Sequence, residues 1–399
     1  MTAAAPAPAA KALLAAPKAP KPPAADTMVR IAREHGVSPL RQMREIFALR
    51  FGPGKLAPHE YVSTGAFRPE FDDAAKREFV GKVGSYELNL SCSPVKLTPS
   101  RGFVRDKVLY GELMRAVGLP ATETQAIVHR ARSLGRVPVL RDEAAVRDFL
   151  LGDARLPLFG KPVEGSGSVG SVLIDSVDRA SGLMRLGNGR TLALDIFARE
   201  AIADYPEGYM LQTAIRQHAA MRAVTGDAVG SLRVVTLRDE TGIVPLYTLW
   251  KIPSPTAMSD NYWQDGSMIA EIDAGGRVMH CVRGAGPDHG RIETHPVSGV
   301  SFAGLQIPHW DRLLEVAVEA HGLFPEFGVT GWDIGMGEDG PVIIEANNNP
   351  FHALYQLAAN RGVLNPDFKP RFDAVVAESQ RLLKLRIDTR REREAARKA

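Results

Sequence analysis

The sequence predicts an α+β chain built on antiparallel hairpins, and three observations carry that prediction. Residues 331–350, GWDIGMGEDGPVIIEANNNP, set two arms of strand-type residues around Glu338-Asp339-Gly340, a turn ending in Gly at the left-handed position. Residues 156–177 set two short strands around a glycine-rich connection. Helical segments with apolar residues three and four apart fill the N-terminal third and recur between the strands. At 399 residues the chain has room for two or three packed lobes.

Composition narrows the function classes. A formal charge of +3 is small for this length and gives no argument for nucleic acid as a partner. The two cysteines, Cys92 and Cys281, form no metal-type spacing, so a reducing, cytoplasmic compartment is the simple inference. No apolar run approaches the ~20 residues of a membrane span, and the N-terminus lacks the pattern of a signal peptide.

Taken in order, residues 1–27 are almost entirely Ala, Pro and Lys; such a stretch cannot bury enough surface to fold and reads as a disordered tail or a tether. Residues 28–100 form a helical region broken at Gly52-Pro53-Gly54, with a helix over 71–80. Residues 105–117 are an amphipathic helix stopped by Gly118-Leu119-Pro120. Lys107 sits near its start, where a cation gains nothing from the dipole, and is a surface lysine or a ligand-binding one. Strands follow at 122–128 and 156–163, with a helix over 142–151 between them. Lys161 stands on the second strand, ahead of Gly165-Ser166-Gly167-Ser168-Val169-Gly170.

That loop matches G-x-G-x-x-G but leads into a strand, 171–177, and not into the helix that a dinucleotide turn requires. A glycine-rich hairpin can instead fold its backbone N–H groups over phosphates. The protein-kinase reading fails because no H-R-D and no D-F-G occur. Asn188-Gly189 marks a tight turn; 194–202 reads as helix and 209–212 as strand. Residues 231–237 alternate cleanly and put Arg233 on an apolar strand face, where it needs a phosphate, a carboxylate or a core acid as partner. Residues 251–309 are loop-like, 311–321 and 354–359 helical. A helix over 372–385 precedes a charged tail at 386–399, whose final RREREAARKA is helix-prone and frayed.

The closing hairpin holds the most chemistry. With a three-residue loop, Gly337 opposes Pro341, Gly335 opposes Ile343 and Asp333 opposes Glu345. Opposed residues share a face with Cβ atoms about 4.5–5.5 Å apart, and Asn347 faces the same way. Two carboxylates and an amide oxygen then converge on one spot, a hard-oxygen set suited to Mg²⁺ carrying nucleotide phosphates. The bland alternative is a half-solvated surface hairpin; the run Asn347-Asn348-Asn349-Pro350 argues for a site, because Asn is depleted in strands.

The order of these residues resembles the ATP-grasp superfamily: a lysine at a helix start before G-L-P, a lysine before a glycine-rich hairpin, a strand arginine, then D…E-x-N. SLRVVTL, SDNYW, HPVSG, IPHWD and the last hairpin resemble the sugar-transfer-associated ATP-grasp group, related to alpha-L-glutamate ligases, over roughly residues 85–385. The resemblance implies two α+β lobes clasping ATP, at 101–210 and 211–385, with a helical N-terminal region where many relatives carry an open α/β domain. It implies Lys107, Lys161, Gly165, Ser166, Gly167, Ser168, Gly170, Gln212 and Ala214 at ATP, and Arg233 at the phosphates. It also implies Arg283 at an acyl-phosphate, and Asp333, Glu345 and Asn347 at Mg²⁺, or Mn²⁺. The implied activity is an ATP-dependent carboxylate–amine or carboxylate–nucleophile ligase acting through an acyl-phosphate, on a small-molecule carboxylate and an amine or sugar-linked acceptor, in polysaccharide or sugar-conjugate biosynthesis. A phosphotransferase acting on a sugar precursor, a non-catalytic nucleotide-binding accessory protein and a homodimer remain open.

Overall fold

A computed structural model describes residues 13, 23–165 and 168–398. The chain packs as two units. One comprises Thr122–Ile215 with Thr256–Ser259 and the described Leu13. The other comprises the described parts of Pro20–Ala121 and Asp260–Ala399, with Arg216–Pro255.

The first unit is a seven-stranded sheet. Its strands are β1 (Thr124–Val128), β2 (Val139–Leu140), β3 (Leu158–Pro162), β4 (Val172–Asp178), β5 (Leu183–Leu186), β6 (Thr191–Ala193) and β7 (Tyr209–Thr213). They are ordered β2-β1-β7-β3-β4-β5-β6. Only β1 and β2 pair in parallel; the other pairings are antiparallel. Asp142 caps the helix Glu143–Gly152 by accepting from Ala145 N at 2.8 Å. That helix lays Val146, Phe149 and Leu150 on a core shared with Leu158, Ile174 and Leu211.

The second unit holds another seven-stranded sheet: β8 (Leu232–Asp239), β9 (Gly242–Ile252), β10 (Met268–Ile272), β11 (Val278–Arg283), β12 (Gly290–Ile292), β13 (Val329–Gly337) and β14 (Gly340–Asn347), ordered β12-β11-β10-β9-β8-β13-β14. One face packs Trp250, Trp332 and Met268 against Leu313, Val316 and Ala317 of the helix Trp310–Gly322. The other packs Val235, Leu249 and Ile269 with Phe372 and Val375 of the helix Lys369–Ala396. A smaller cluster of Ile31, Val37, Leu49, Tyr61, Phe67 and Phe79 is the core of the helices Ala24–His35, Pro39–Arg50, Pro58–Ser63 and Asp73–Arg77.

Several expectations change. Residues 1–12 and 14–22 of the expected tail lie outside the described residues, but a helix already begins at Ala24. The helix expected over 71–80 is only Asp73–Arg77. The single helix over 105–117 is two, Arg101–Arg105 and Lys107–Ala116, because Asp106 turns extended and accepts from Val108 N and Leu109 N at 3.0 Å each. This pair belongs to the second unit, where buried Tyr110 donates to Ile344 O at 3.1 Å. The region read as loop carries β10 and β11, two short alternations around Asp273–Arg277 that dense Gly, Pro and His had masked. The helix-prone C-terminal tail continues the helix expected over 372–385. One helix runs to Ala396, sustained by strong helix formers and pairs such as Arg390–Glu394 at 2.9 Å.

Candidate functional site

The closing hairpin differs from the expected one in two places that cancel. Its loop is two residues, Glu338 and Asp339, with Gly340 at φ 129° paired to Gly337. This shifts the near register by one, giving Met336–Pro341 and Ile334–Ile343. A bulge then takes up Ile344, and Asp333 opposes Glu345 after all, with Gly331 opposite Asn347. A hydrogen bond from outside the hairpin steadies the strand beside the bulge: Ile343 N donates to Pro120 O at 2.8 Å.

The arm carrying Asp333 is not half-solvated: all nine residues of β13 are buried between β8 and β14, while Glu345 and Asn347 on β14 stay partly exposed. Asp333 is therefore a buried carboxylate, which must be paired. Arg233, directly across on β8, donates Nε to Asp333 Oδ1 at 2.5 Å and Nη2 to Oδ2 at 2.9 Å. Lys251 of β9 adds Nζ at 3.1 Å from Asp333 Oδ2. Lys251 lies equally 3.1 Å from Asp260 Oδ2, and Asp260 in turn accepts from Ser231 N at 3.1 Å and from the Ser231 hydroxyl.

The electrostatics follow from this sharing. Burial on its own would raise the Asp333 carboxyl; Arg233 and Lys251 outweigh it and hold Asp333 well below the usual carboxylate range. Asp260 goes the other way: burial pushes its carboxyl up, and the neighbouring Asp333 charge adds to that against the pull of Lys251. Burial would lower the Lys251 ammonium, but the two acids keep it above its ordinary value.

Around this core stand the other candidates of the same unit. Asn347 Nδ2 lies 3.5 Å from Asp333 Oδ2. Glu345 is partly exposed, with Lys107 Nζ 3.8 Å from its Oε1. Lys107 begins its helix, and the Tyr110 bond to the bulge residue Ile344 ties that helix to the strand carrying Glu345. Asn348 and Asn349 do not join: Asn348 donates to Arg101 O at 3.0 Å and Asn349 accepts from Asn89 at 2.7 Å. Arg283 is also absent from the group. It is exposed at the end of β11 opposite Met268, and strand alternation puts it on the face away from Lys251, which shares its row with Ile269 and Val282.

In the other unit, Lys161 is buried on β3 opposite Met210, and Phe159 is opposite Gln212, so Lys161 and Gln212 share one sheet face. Gln212 accepts from Thr122 Oγ1 at 3.3 Å, and Ala214 N donates to Pro157 O at 3.2 Å. Ser166 and Gly167 lie outside the described residues. Gly165 and Gly170 take φ 113° and 80°, and Ser168 57°. At Gly170 a Cβ would lie 2.2 Å from Tyr205 Oη on a left-handed backbone, so any side chain there must displace Tyr205 and is strained.

In kind, two opposed carboxylates and an amide oxygen suit a hard divalent cation, which would have to take Asp333 from Arg233 and Lys251 and turn the Asn347 amide, whose Nδ2 faces Asp333. Among the described residues no three His, Cys, Asp or Glu side chains form a metal-binding group. Sequence reading missed Lys251, Asp260 and Ser231. The signal for Lys251 was present: it stands in the apolar run LYTLWKI just as Arg233 stands in SLRVVTL.

The family model for sugar-transfer-associated ATP-grasp proteins matches residues 97–369, more than half of the chain. No curated protein matches the chain. Solved structures similar to it include the D-alanine–D-alanine ligase from Coxiella burnetii, 12% identical over 75% of this chain and 63% of that one, TM-score 0.43. The VanG D-Ala:D-Ser ligase from Enterococcus faecalis is 13% identical over 70% and 62%, TM-score 0.40. The D-alanine–D-alanine ligase from Bacillus anthracis complexed with ATP is 12% identical over 72% and 69%, TM-score 0.39. The chain thus spans less than two thirds of the Coxiella ligase. With the family match covering both sheets and the closing hairpin, this chain belongs to the sugar-transfer-associated ATP-grasp family.

Proposed function

We propose that the protein is an ATP- and Mg²⁺-dependent ligase that joins a small-molecule carboxylate to an amine or a sugar-linked nucleophile through an acyl-phosphate. The observation that supports it best is Asp333: a buried carboxylate shared by Arg233 and Lys251 and opposed across the hairpin by Glu345. Lys107 and Lys161 would hold nucleotide phosphates, and the 165–170 segment would offer them backbone N–H groups. Gln212 and Ala214 would border the base. Asp333, Glu345 and Asn347 would hold Mg²⁺ or Mn²⁺, which would supply positive charge against the phosphates.

The chain's own residues supply positioning and charge. Phosphoryl transfer asks for little covalent work from the protein, and fixed cations contribute most of the effect. Lys251 has a specific capacity here. Because it lies 3.1 Å from both Asp333 and Asp260, it can release Asp333 without losing its counter-charge. Arg233, a planar fork suited to phosphate as well as carboxylate, can do the same toward a phosphate.

The test is a panel of carboxylates and amines with ATP, followed for ADP, free phosphate and coupled product. The ligase reading expects all three together. ADP with a phosphorylated acceptor and no free phosphate would mean phosphotransfer. No ADP from any pair, with Lys251→Met and Asp333→Asn indistinguishable from wild type in nucleotide binding, would overturn the reading.

A further inference from the structure

The helix Pro39–Arg50, far in sequence from the residues discussed above, has two apolar faces. One is inward, with Leu49 and Ile46 against Ile31, Tyr61 and Phe67. The other points out. Leu40, Met43, Phe47 and Phe51 are 79%, 62%, 69% and 75% exposed, and their spacing of three, four and four places them in one stripe along the helix. Phe47 and Phe51 touch, with ring centroids 4.8 Å apart, so the stripe ends in an aromatic ridge. Isolated exposed apolar residues need no explanation, but a contiguous row does.

Charge selects the occupant. At 100° per residue, Arg44 flanks the stripe on one side and Arg50 on the other, both exposed. The only acid of this helix, Glu45, points inward and is buried, 2.7 Å from Lys76 Nζ and 2.7 Å from Arg41 Nε. No carboxylate of the helix faces the row. Upstream, residues 1–25 contain Lys11, Lys18 and Lys21 and no Asp or Glu. A second protein chain is a poor fit, since four side chains fall short of the ~800 Å² per partner of a stable interface. A self-associated copy would also bring arginine toward arginine. Aromatic and aliphatic residues outward between arginines, preceded by a basic segment, are instead the features of a helix lying in a membrane interface, where a modest apolar insertion and basic charge act together.

We infer that the Leu40–Met43–Phe47–Phe51 face of this helix docks the protein on an anionic lipid bilayer, lying on it without crossing it. Among the described residues no helix is long and apolar enough to cross a membrane. Because the four side chains make little contact with the fold, they can be altered without unfolding it.

The test is co-sedimentation of the full-length protein with vesicles of phosphatidylcholine alone or of phosphatidylcholine with phosphatidylglycerol. Wild type is expected to pellet with the anionic vesicles, less so at high salt, and to stay in solution with the neutral ones. The double variant Phe47→Ser/Phe51→Ser is expected to bind roughly tenfold more weakly or worse and Arg44→Glu/Arg50→Glu to lose the preference for anionic lipid, both with unchanged thermal midpoints. Three results would each overturn the inference: no pelleting of wild type with anionic vesicles, equal pelleting of the Phe double variant, or a wild-type dimer that the Phe double variant converts to monomer.

Discussion

Replacing Asp333 by asparagine removes the shared counter-charge of two buried cations and leaves their side chains in place. Arg233 and Lys251 are each 8% exposed and Asp333 4%, so water cannot take over the lost interaction. Breaking a buried pair from one side costs about 3–5 kcal/mol, because the surviving charge is stranded. Here Lys251 keeps Asp260 at 3.1 Å, whereas Arg233 has no other carboxylate within ion-pair distance in the described structure. The expected loss is therefore near the lower end, about 3 kcal/mol at neutral pH, arising mainly from Arg233. Urea denaturation followed by tryptophan fluorescence reads it as a lower midpoint with an unchanged slope. The double variant Arg233→Met/Asp333→Leu, which removes one charge of each sign, is expected to recover most of the loss. If Asp333→Asn leaves the urea midpoint where it was, or the double variant is as unstable as the sum of its parts, Asp333 is not the counter-ion described.

Buried histidines set an acid limit above the carboxylate range. Burial holds His352 at about 3 and His321 at about 4, so both stay neutral in the fold and charge only on unfolding. Stability from them is complete above the ordinary value near 6.5 and lost as pH falls toward 4, at up to about 2.7 kcal/mol per pH unit for two protons; midpoints at pH 7, 6 and 5 should fall with growing steps. Gly170→Ala forces a side chain into φ 80° and against Tyr205 Oη, at about 1–2 kcal/mol. A weaker affinity for ATP in equilibrium binding is expected with it. Burial pushes the thiols of Cys92 and Cys281 up to about 12; neither should react with a thiol reagent at pH 8 until the protein is denatured, when both should.

Much of this arrangement could be read in advance, for reasons that differ by residue. The facing of Asp333 and Glu345 was legible because strand alternation and a turn signal suffice to state it, yet the reading reached it through a loop one residue too long. The bulge at Ile344 restored the register, and no local composition announces a bulge. The need of Arg233 for a partner was legible from its place in an apolar strand. Its partner was not, because Asp333 is one hundred residues away and only the order of strands brings them together. The same distance hid Asp260 from Lys251. The asparagine run was over-read: Asn348 and Asn349 tie the strand end to Arg101 and Asn89, and Asn347 alone turns toward the carboxylate. Arg283 was carried by resemblance alone, and alternation along β11 sets it on the other face.

On the proposed function, the carboxylates of the closing hairpin and the cations beside them bind a metal-nucleotide complex, which calorimetric titration of the full-length protein with ADP, in the presence and absence of Mg²⁺, would reveal. Saturable binding that needs Mg²⁺ is expected, weakened by Glu345→Gln about tenfold or more, roughly the loss of one charge-assisted contact. Binding that is indifferent to both Mg²⁺ and Glu345, or no binding with the fold intact, would contradict it.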